Sequence, residues 1–190
     1  MVLMKTKFPL TILLYLACIC IGCKQKKNDV FPVLDFVKAQ IANVDTSVFS
    51  IVKLVPKTDS TYDTTYVKRE EFNQLAKDFL ETPDISKTLG GKYTEERMMN
   101  NDLGLAVFIA TPKDADLEVR RQEVRIEPDP PNDKIKSVYI EKVKNDKDSS
   151  VTKRMTWYAD RKFQIVTITQ KPNSEEKTSV IEVVWNQENE

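Results

Sequence analysis

The chain reads as an α+β domain: N-terminal amphipathic helices packed on a curved, half-barrel-like antiparallel β-meander. Three observations predict this. Apolar residues recur at helical spacing in two segments before residue 81. From Tyr93 onward, β-branched and aromatic runs alternate with short polar breaks. Breaks that short join antiparallel neighbours, because a parallel crossover needs a dozen or more residues.

Phe31 to Val44 is predicted as the first helix. Pro32 suits its first turn, where the missing N–H costs nothing, and Val33, Val37, Ile41 and Val44 form one apolar stripe. Val48–Val55 is apolar on both faces and predicts a covered strand, with Pro56–Ser60 turning the chain into a second strand, Thr61–Val67. Tyr62, Thr64 and Tyr66 fall on one face of that second strand.

Arg69 to Leu80 has the cleanest helical pattern. Phe72, Leu75, Ala76, Phe79 and Leu80 share a face, and Glu70 and Glu71 sit at the positive end of the helix dipole. Thr82 is expected to cap a short further helix, with Pro83 in its first position, Asp84 complementing the dipole and Gly90 or Gly91 ending it. Seven strands follow: Tyr93–Met99, Leu105–Ala110, Leu117–Ile126, Ile135–Lys144, Val151–Tyr158, Phe163–Gln170 and Ser179–Trp185. The apolar alternation changes phase between Leu117/Val119 and Val124/Ile126, and between Phe163/Ile165 and Val166/Ile168. Each change predicts a bulge or a strand coiled around a core.

The first 23 residues carry a different signal. Lys5 and Lys7 precede an apolar run from Leu10 to Gly22. That run is about 13 residues, short of the roughly 20 that span a bilayer. A basic start, a short apolar middle and small residues before a break form the layout of a secretory signal peptide. The run ends Cys20-Ile21-Gly22-Cys23, which resembles the lipobox of bacterial lipoproteins. Gly22 and Cys23 match that pattern and Ile21 is compatible with it, whereas Cys20 stands where an aliphatic residue is usual. The resemblance implies cleavage before Cys23 and acylation of its sulfur and amine, and Lys24 in the next position implies the outer membrane. Each buried methylene of such chains contributes about 0.8 kcal/mol, so two or more chains anchor stably. The expected organisation is a signal peptide over 1–22, a lipidated Cys23 with a polar tether over 23–30, and one domain over 31–190.

Composition narrows the chemistry. Removing Lys5 and Lys7 with the signal leaves 27 basic and 29 acidic residues, a net charge of −2, so nothing global favours nucleic acid. Cys18, Cys20 and Cys23 are the only cysteines and there is no histidine. The domain therefore lacks disulfides, thiolate nucleophiles, imidazole bases and the common zinc ligands. No cofactor is expected.

Glu70-Glu71 and Glu95-Glu96 are carboxylate pairs, but adjacent residues on one element diverge and cannot face each other across a glycosidic bond. Asp59, Asp63 and the Asn145–Asp148 run are oxygen-rich and lack the glycine and glutamate of a calcium loop; they read as hairpin turns. Lysines and arginines thicken between Lys134 and Lys162, interspersed with acids. In Arg120-Arg121 and Lys153-Arg154, strand alternation turns one cation of each pair inward, where it needs a carboxylate partner. Trp157 and Trp185 lie on strands separated by one other. They either pack in the core or, with Phe163 and Phe79, line a ligand cavity.

The run Met155–Asn186 is similar to the C-terminal part of Bacteroidota envelope lipoproteins, which implies compartment and fold and no mechanism. Three functions remain open: a non-catalytic binding or envelope-assembly lipoprotein, a lipid or lipoprotein carrier with an apolar cavity, and a hydrolase using carboxylates or a Ser–Lys pair. The expected partners are the membrane, through the lipid anchor, and an envelope protein or lipid ligand.

Overall fold

A computed structural model describes residues 30–58 and 61–186. Its centre is one nine-stranded antiparallel sheet: β1 (Ile51–Thr58), β2 (Thr61–Val67), β3 (Tyr93–Asn100), β4 (Leu105–Pro112), β5 (Val119–Glu127), β6 (Lys134–Asp146), β7 (Ser149–Tyr158), β8 (Lys162–Gln170) and β9 (Lys177–Val184). The spatial order is β2-β1-β9-β8-β7-β6-β5-β4-β3. The seven later strands form the predicted meander, and the β1–β2 hairpin joins it through antiparallel pairing of Val52, Lys53 and Leu54 with β9. The sheet curls but is not closed into a barrel, since β2 and β3 remain its two edges.

Helix α1 (Val33–Thr46) lies against the inner face of the sheet with Pro32 at its N-cap. Val33, Val37, Ile41 and Val44 are buried, as the stripe predicts, and Gln40 is buried with them. The segment after β2 is helical but broken. A 3₁₀ turn (Arg69–Glu71) leads into α2 (Phe72–Leu75) and α3 (Lys77–Leu80), with Ala76 between them at φ −83° and ψ 1°. Positions seven apart on a straight helix are separated by about 10.5 Å along its axis. Phe72 and Phe79 nevertheless converge on the same two rings, Trp157 at 6.2 and 5.2 Å and Phe163 at 5.8 and 5.5 Å. The break at Ala76 accommodates that convergence, and core packing outweighs the helical propensity of the run.

The expected helix after Thr82 is not formed. The Thr82 hydroxyl donates backward to the Asp78 carbonyl, 2.9 Å away, and so closes α3. Asp84 takes the capping role instead: its Oδ1 accepts from the backbone N–H groups of Ser86 and Lys87, both at 3.1 Å. Only turns and a 3₁₀ turn (Gly90–Lys92) follow before β3.

The first strand also differs from expectation. It starts at Ile51 and continues through Pro56 to Thr58, while Val48 is 93 % exposed. The Arg69 guanidinium binds the Val44 carbonyl, and bonds to Ser47 Oγ and the Phe49 carbonyl at 3.0 Å each. These bonds hold the connection from α1 as a loop. Pro56 is tolerated because the β9 pairing ends at Leu54, so no ladder bond to that side is lost. Of the two expected phase changes, β5 carries irregularities at Val119/Arg121 and Arg125/Ile126. As a result Val119, Gln122, Val124 and Ile126 are all buried. β8 keeps one continuous register with both neighbours; its Val166 and Ile168 sit on the outer face, partly covered.

Candidate functional site

The four aromatic side chains proposed as a cavity lining form the centre of the core. Trp157, Phe163 and Phe79 are 0 % exposed and Trp185 is 4 %. Trp157 stacks on Phe163 at 5.1 Å and 24°. Phe79 meets Trp157 edge-on at 5.2 Å and 88°, and Trp185 lies 5.2 Å from Trp157. Phe72 completes the cluster, 5.3 Å from Trp185. The faces and edges of these rings are occupied by one another, an arrangement that favours packing over ligand stacking. A cavity beside Phe79, between α1 and Ile85, measures about 10 Å³, which is space for a single water.

The polar handle of Trp157 is also satisfied internally. Its Nε1 donates to Gln40 Oε1 at 3.4 Å, and the same oxygen accepts the Asp160 backbone N–H at 2.7 Å. Gln40 Nε2 returns a bond to Asp160 Oδ1 at 3.0 Å. Asp160 has φ 57°, a left-handed conformation that Asp and Asn tolerate better than most residues. One buried glutamine therefore ties α1 to the β7–β8 turn and to the central indole.

Above this core the inner face carries a cation pair. Lys142 on β6 and Lys153 on β7 are directly opposed in register and share the face of Met155 and Ile140. Both reach α3: the Lys142 Nζ donates to the Asp78 carbonyl at 3.0 Å, and the Lys153 Nζ pairs with the Asp78 carboxylate. Burial lowers the Lys142 pKa below that of a free lysine. Glu118, 3.8 Å from its amine, and Asp78 oppose the shift, Lys153 adds to it, and Glu81 opposes it. The inward cation of the Lys153-Arg154 pair is thus the lysine, with the carboxylate partner that alternation demanded. Lys142 was not singled out from the sequence; its place one strand away from Lys153, on the face of Val138 and Ile140, was the available signal.

The outer face holds the second constellation. Glu123 on β5 is buried, and its two oxygens accept from Arg121 Nη2 and Arg125 Nε, each at 2.7 Å. Burial alone would raise its pKa; hydrogen bonds from the two guanidiniums, with their charge, outweigh burial and hold the carboxyl below the usual glutamate range. Next to it, the Tyr139 hydroxyl donates to Glu141 Oε2 at 2.8 Å, and Arg154 Nε donates to the same oxygen at 3.2 Å. Burial and the Glu141 carboxylate push the Tyr139 hydroxyl up to about 12. Glu123, Arg125, Ser137, Tyr139, Thr156 and Tyr158 line an open groove of about 170 Å³. It offers hydroxyls, a guanidinium edge and aromatic faces, the equipment of a non-covalent recognition surface.

No known family, curated protein or solved structure matches this chain.

The remaining candidates resolve into structural roles. Glu95 accepts the Phe31 backbone N–H at 2.6 Å and pairs with Arg97 at 2.8 Å, clamping the segment that leads into α1 to β3. Glu70, Glu71 and Glu96 are exposed. Asp63 pairs with Lys57 at 3.5 Å, and Asp59 lies outside the described residues. Lys147-Asp148 is a two-residue hairpin turn, because Asp146 pairs with Ser149. In the basic segment, Lys134, Lys136, Arg154 and Lys162 pair with Asp129, Glu127, Glu141 and Glu182, giving a mixed surface. Among the described residues no cluster of three or more His, Cys, Asp or Glu is placed to hold a metal ion. None of the described helices is long and apolar enough to cross a membrane. Cys23, the expected acylation site, lies outside the described residues.

Proposed function

We propose that this protein is a non-catalytic lipoprotein, anchored to the outer membrane through acylated Cys23, whose domain binds or assembles envelope components through its outer surface. The observation that carries the reading is the Met1–Cys23 stretch, with its two lysines, short apolar run and terminal Gly22-Cys23. The domain's make-up supports the non-catalytic part. It has no histidine and no cysteine after position 23, and Lys142 and Lys153 are engaged by Asp78 rather than by a serine. In this reading the curled sheet and its helices act as a half-barrel filled by its own side chains. Recognition then falls to exposed features such as the Glu123–Tyr158 groove. A carrier would need interior volume, and the aromatic cluster occupies that space.

The test is the mass of the purified chain. Acylation predicts a polypeptide beginning at Cys23 and carrying two or three fatty-acyl groups, incorporation of labelled palmitate, and loss of both in Cys23→Ser. An unmodified chain that still begins at Met1 in the cytosol overturns the anchor and the compartment together.

A further inference from the structure

We infer that the turn of the β3–β4 hairpin is a membrane-contacting tip, which lays Met98, Met99 and Leu103 on the bilayer that holds the acyl chains of Cys23. The inference rests on that acylation and adds to it a second point of contact, which sets how the domain faces the membrane.

Three observations lead to it. First, the hairpin ends in uncovered apolar side chains. Met98 and Met99 are 49 % and 51 % exposed, and Leu103 is 64 % exposed. Met98 pairs with Val107 and Met99 with Ala106, so the two methionines stand on opposite faces of the sheet. A hairpin that packs on a core from one side needs one apolar face, whereas this one is apolar on both faces and at its tip. The turn stands clear of the rest of the domain: Asn100 Oδ1 accepts the Leu103 N–H at 3.1 Å, and a Cβ placed on Gly104 would meet nothing within 4 Å. Methionine, unbranched and polarizable, adapts to an irregular apolar phase.

Second, charge is withdrawn from this hairpin. Asp102 is the only charged residue from Met98 to Ala110, in a chain that is 31 % charged. The other hairpin turns of the meander are charged, with Lys147-Asp148 after β6 and Asp160-Arg161 after β7. Asp102 also limits the depth. An unpaired carboxylate is costly in the hydrocarbon region, so the tip rests at headgroup level and does not span.

Third, the anchor reaches this tip. Val30 is buried, the Phe31 N–H donates to Glu95, the Phe31 carbonyl accepts from Gln122 Nε2 at 3.2 Å, and the Phe31 ring meets Phe108 at 6.3 Å. The chain therefore enters the domain over β3, β4 and β5. Cys23 lies seven residues before Val30, an extended reach of at most about 25 Å. From Glu95 to Asn100, the last paired residue of β3, is five residues, or about 17 Å. The acyl chains and the tip can thus meet one surface. The other exposed apolar group, Val48, Phe49 and Tyr66, lies beside Arg69 past the far end of α1, whose 14 residues lead about 21 Å away.

The experiment places one fluorescent label on the tip of the full-length protein, purified from membranes and reconstituted in phosphatidylethanolamine/phosphatidylglycerol vesicles. The domain has no cysteine after Cys23, so Leu103→Cys and, as a control on the β6–β7 turn, Lys147→Cys each supply a single free thiol. Both positions are exposed, and near-UV circular dichroism of the buried tryptophans checks that the variants are folded. The label at 103 should be quenched severalfold less by aqueous iodide than the label at 147, and should be quenched by lipids carrying a nitroxide near the headgroup. Flotation and intact mass report the anchor separately. If the acylated chain floats and the label at 103 is as open to iodide as the label at 147, the inference is overturned and the anchor stands. A label shielded from iodide but untouched by nitroxide lipids would mean that protein covers the tip, and also overturns it. So does contact with lipid by a label at Val48→Cys in place of Leu103→Cys. A chain that carries no acyl groups and fails to float overturns both the anchor and the inference.

Discussion

The two faces of the sheet are built from the same strands and handle charge in opposite ways. The inner face is covered by α1, α2 and α3, and its centre is aromatic: Trp157, Phe163, Phe72, Phe79 and Trp185. Beneath α3 it admits charge at Lys142 and Lys153, both tied to Asp78, and at its β3 margin at Glu95, which is held by Arg97 and the Phe31 backbone. The outer face has no helix over it, and there charges form chains along and across strands: Arg121–Glu123–Arg125, and Tyr139–Glu141–Arg154. Strand alternation hands every second residue to each face. The difference teaches that position on the pleat, more than residue type, decides what a charge costs here. Lys153 and Arg154 are adjacent; one is fixed beneath a helix and the other is half in water.

That contrast can be broken by measurement. The largest effect is expected at the inner centre. Trp157→Ala should lose about 3–5 kcal/mol in urea unfolding, because the ring is wholly enclosed and its neighbours cannot collapse fully. Asp78→Ala should lose about 1–3 kcal/mol by removing the carboxylate that Lys153 faces.

Lys142→Met sharpens the comparison through pH. The amine is buried and faces Glu118, Asp78, Lys153 and Glu81, with its folded pKa below the free-lysine value. Between that folded value and about 10.5, the unfolded chain binds more protons than the folded one, so native stability rises with pH across this window. The stability difference between wild type and Lys142→Met should therefore shift toward wild type as pH climbs to 10.5. A difference independent of pH would show that Lys142 titrates alike in both states.

On the outer face the sign reverses. The folded pKa of Glu123 is depressed, so its contribution is complete above about pH 5 and is lost as pH falls through the folded value. Glu123→Gln should cost about 1–2 kcal/mol at pH 7, with the gap closing in acid. The smallest effect is expected for Arg154→Ala, below about 1 kcal/mol, since its pair with Glu141 is half exposed. If Arg154→Ala proved as damaging as Trp157→Ala, the distinction between the faces would fail.

The legible parts of the fold are those where a local pattern and its partner surface agree. The α1 stripe and the seven meander strands follow from periodicity within a few residues at their ends. The bulge in β5 follows from the shift of apolar phase between Val119 and Val124, since two faces cannot both be buried in one regular strand. The expected bulge in β8 does not, because Val166 and Ile168 can be outward and half covered without any change of register. The helix expected after Thr82 gives way to turns, since Thr82 is drawn back to Asp78 and leaves Asp84 to cap a single turn. The break at Ala76 has no local sign, as Phe72 and Phe79 fit a helical pattern perfectly well. The aromatic residues were recognisable as a group, but a cavity lining and a core centre have the same one-dimensional signature.

By itself, the amino-acid sequence determined the apolar stripe of α1, the antiparallel meander, and the absence of histidine throughout and of cysteine after Cys23. These are local or compositional properties, set by which side chains stand near one another along the chain. Tertiary structure alone decided that β1 would pair with β9, that Lys142 and Lys153 would meet one aspartate on α3, and that five aromatic rings would fill the interior. Each of those joins residues far apart in sequence; burial of apolar surface favours them, and Asp78 offsets the cost of desolvating the two lysines, effects that exist only once the sheet has curled around its helices.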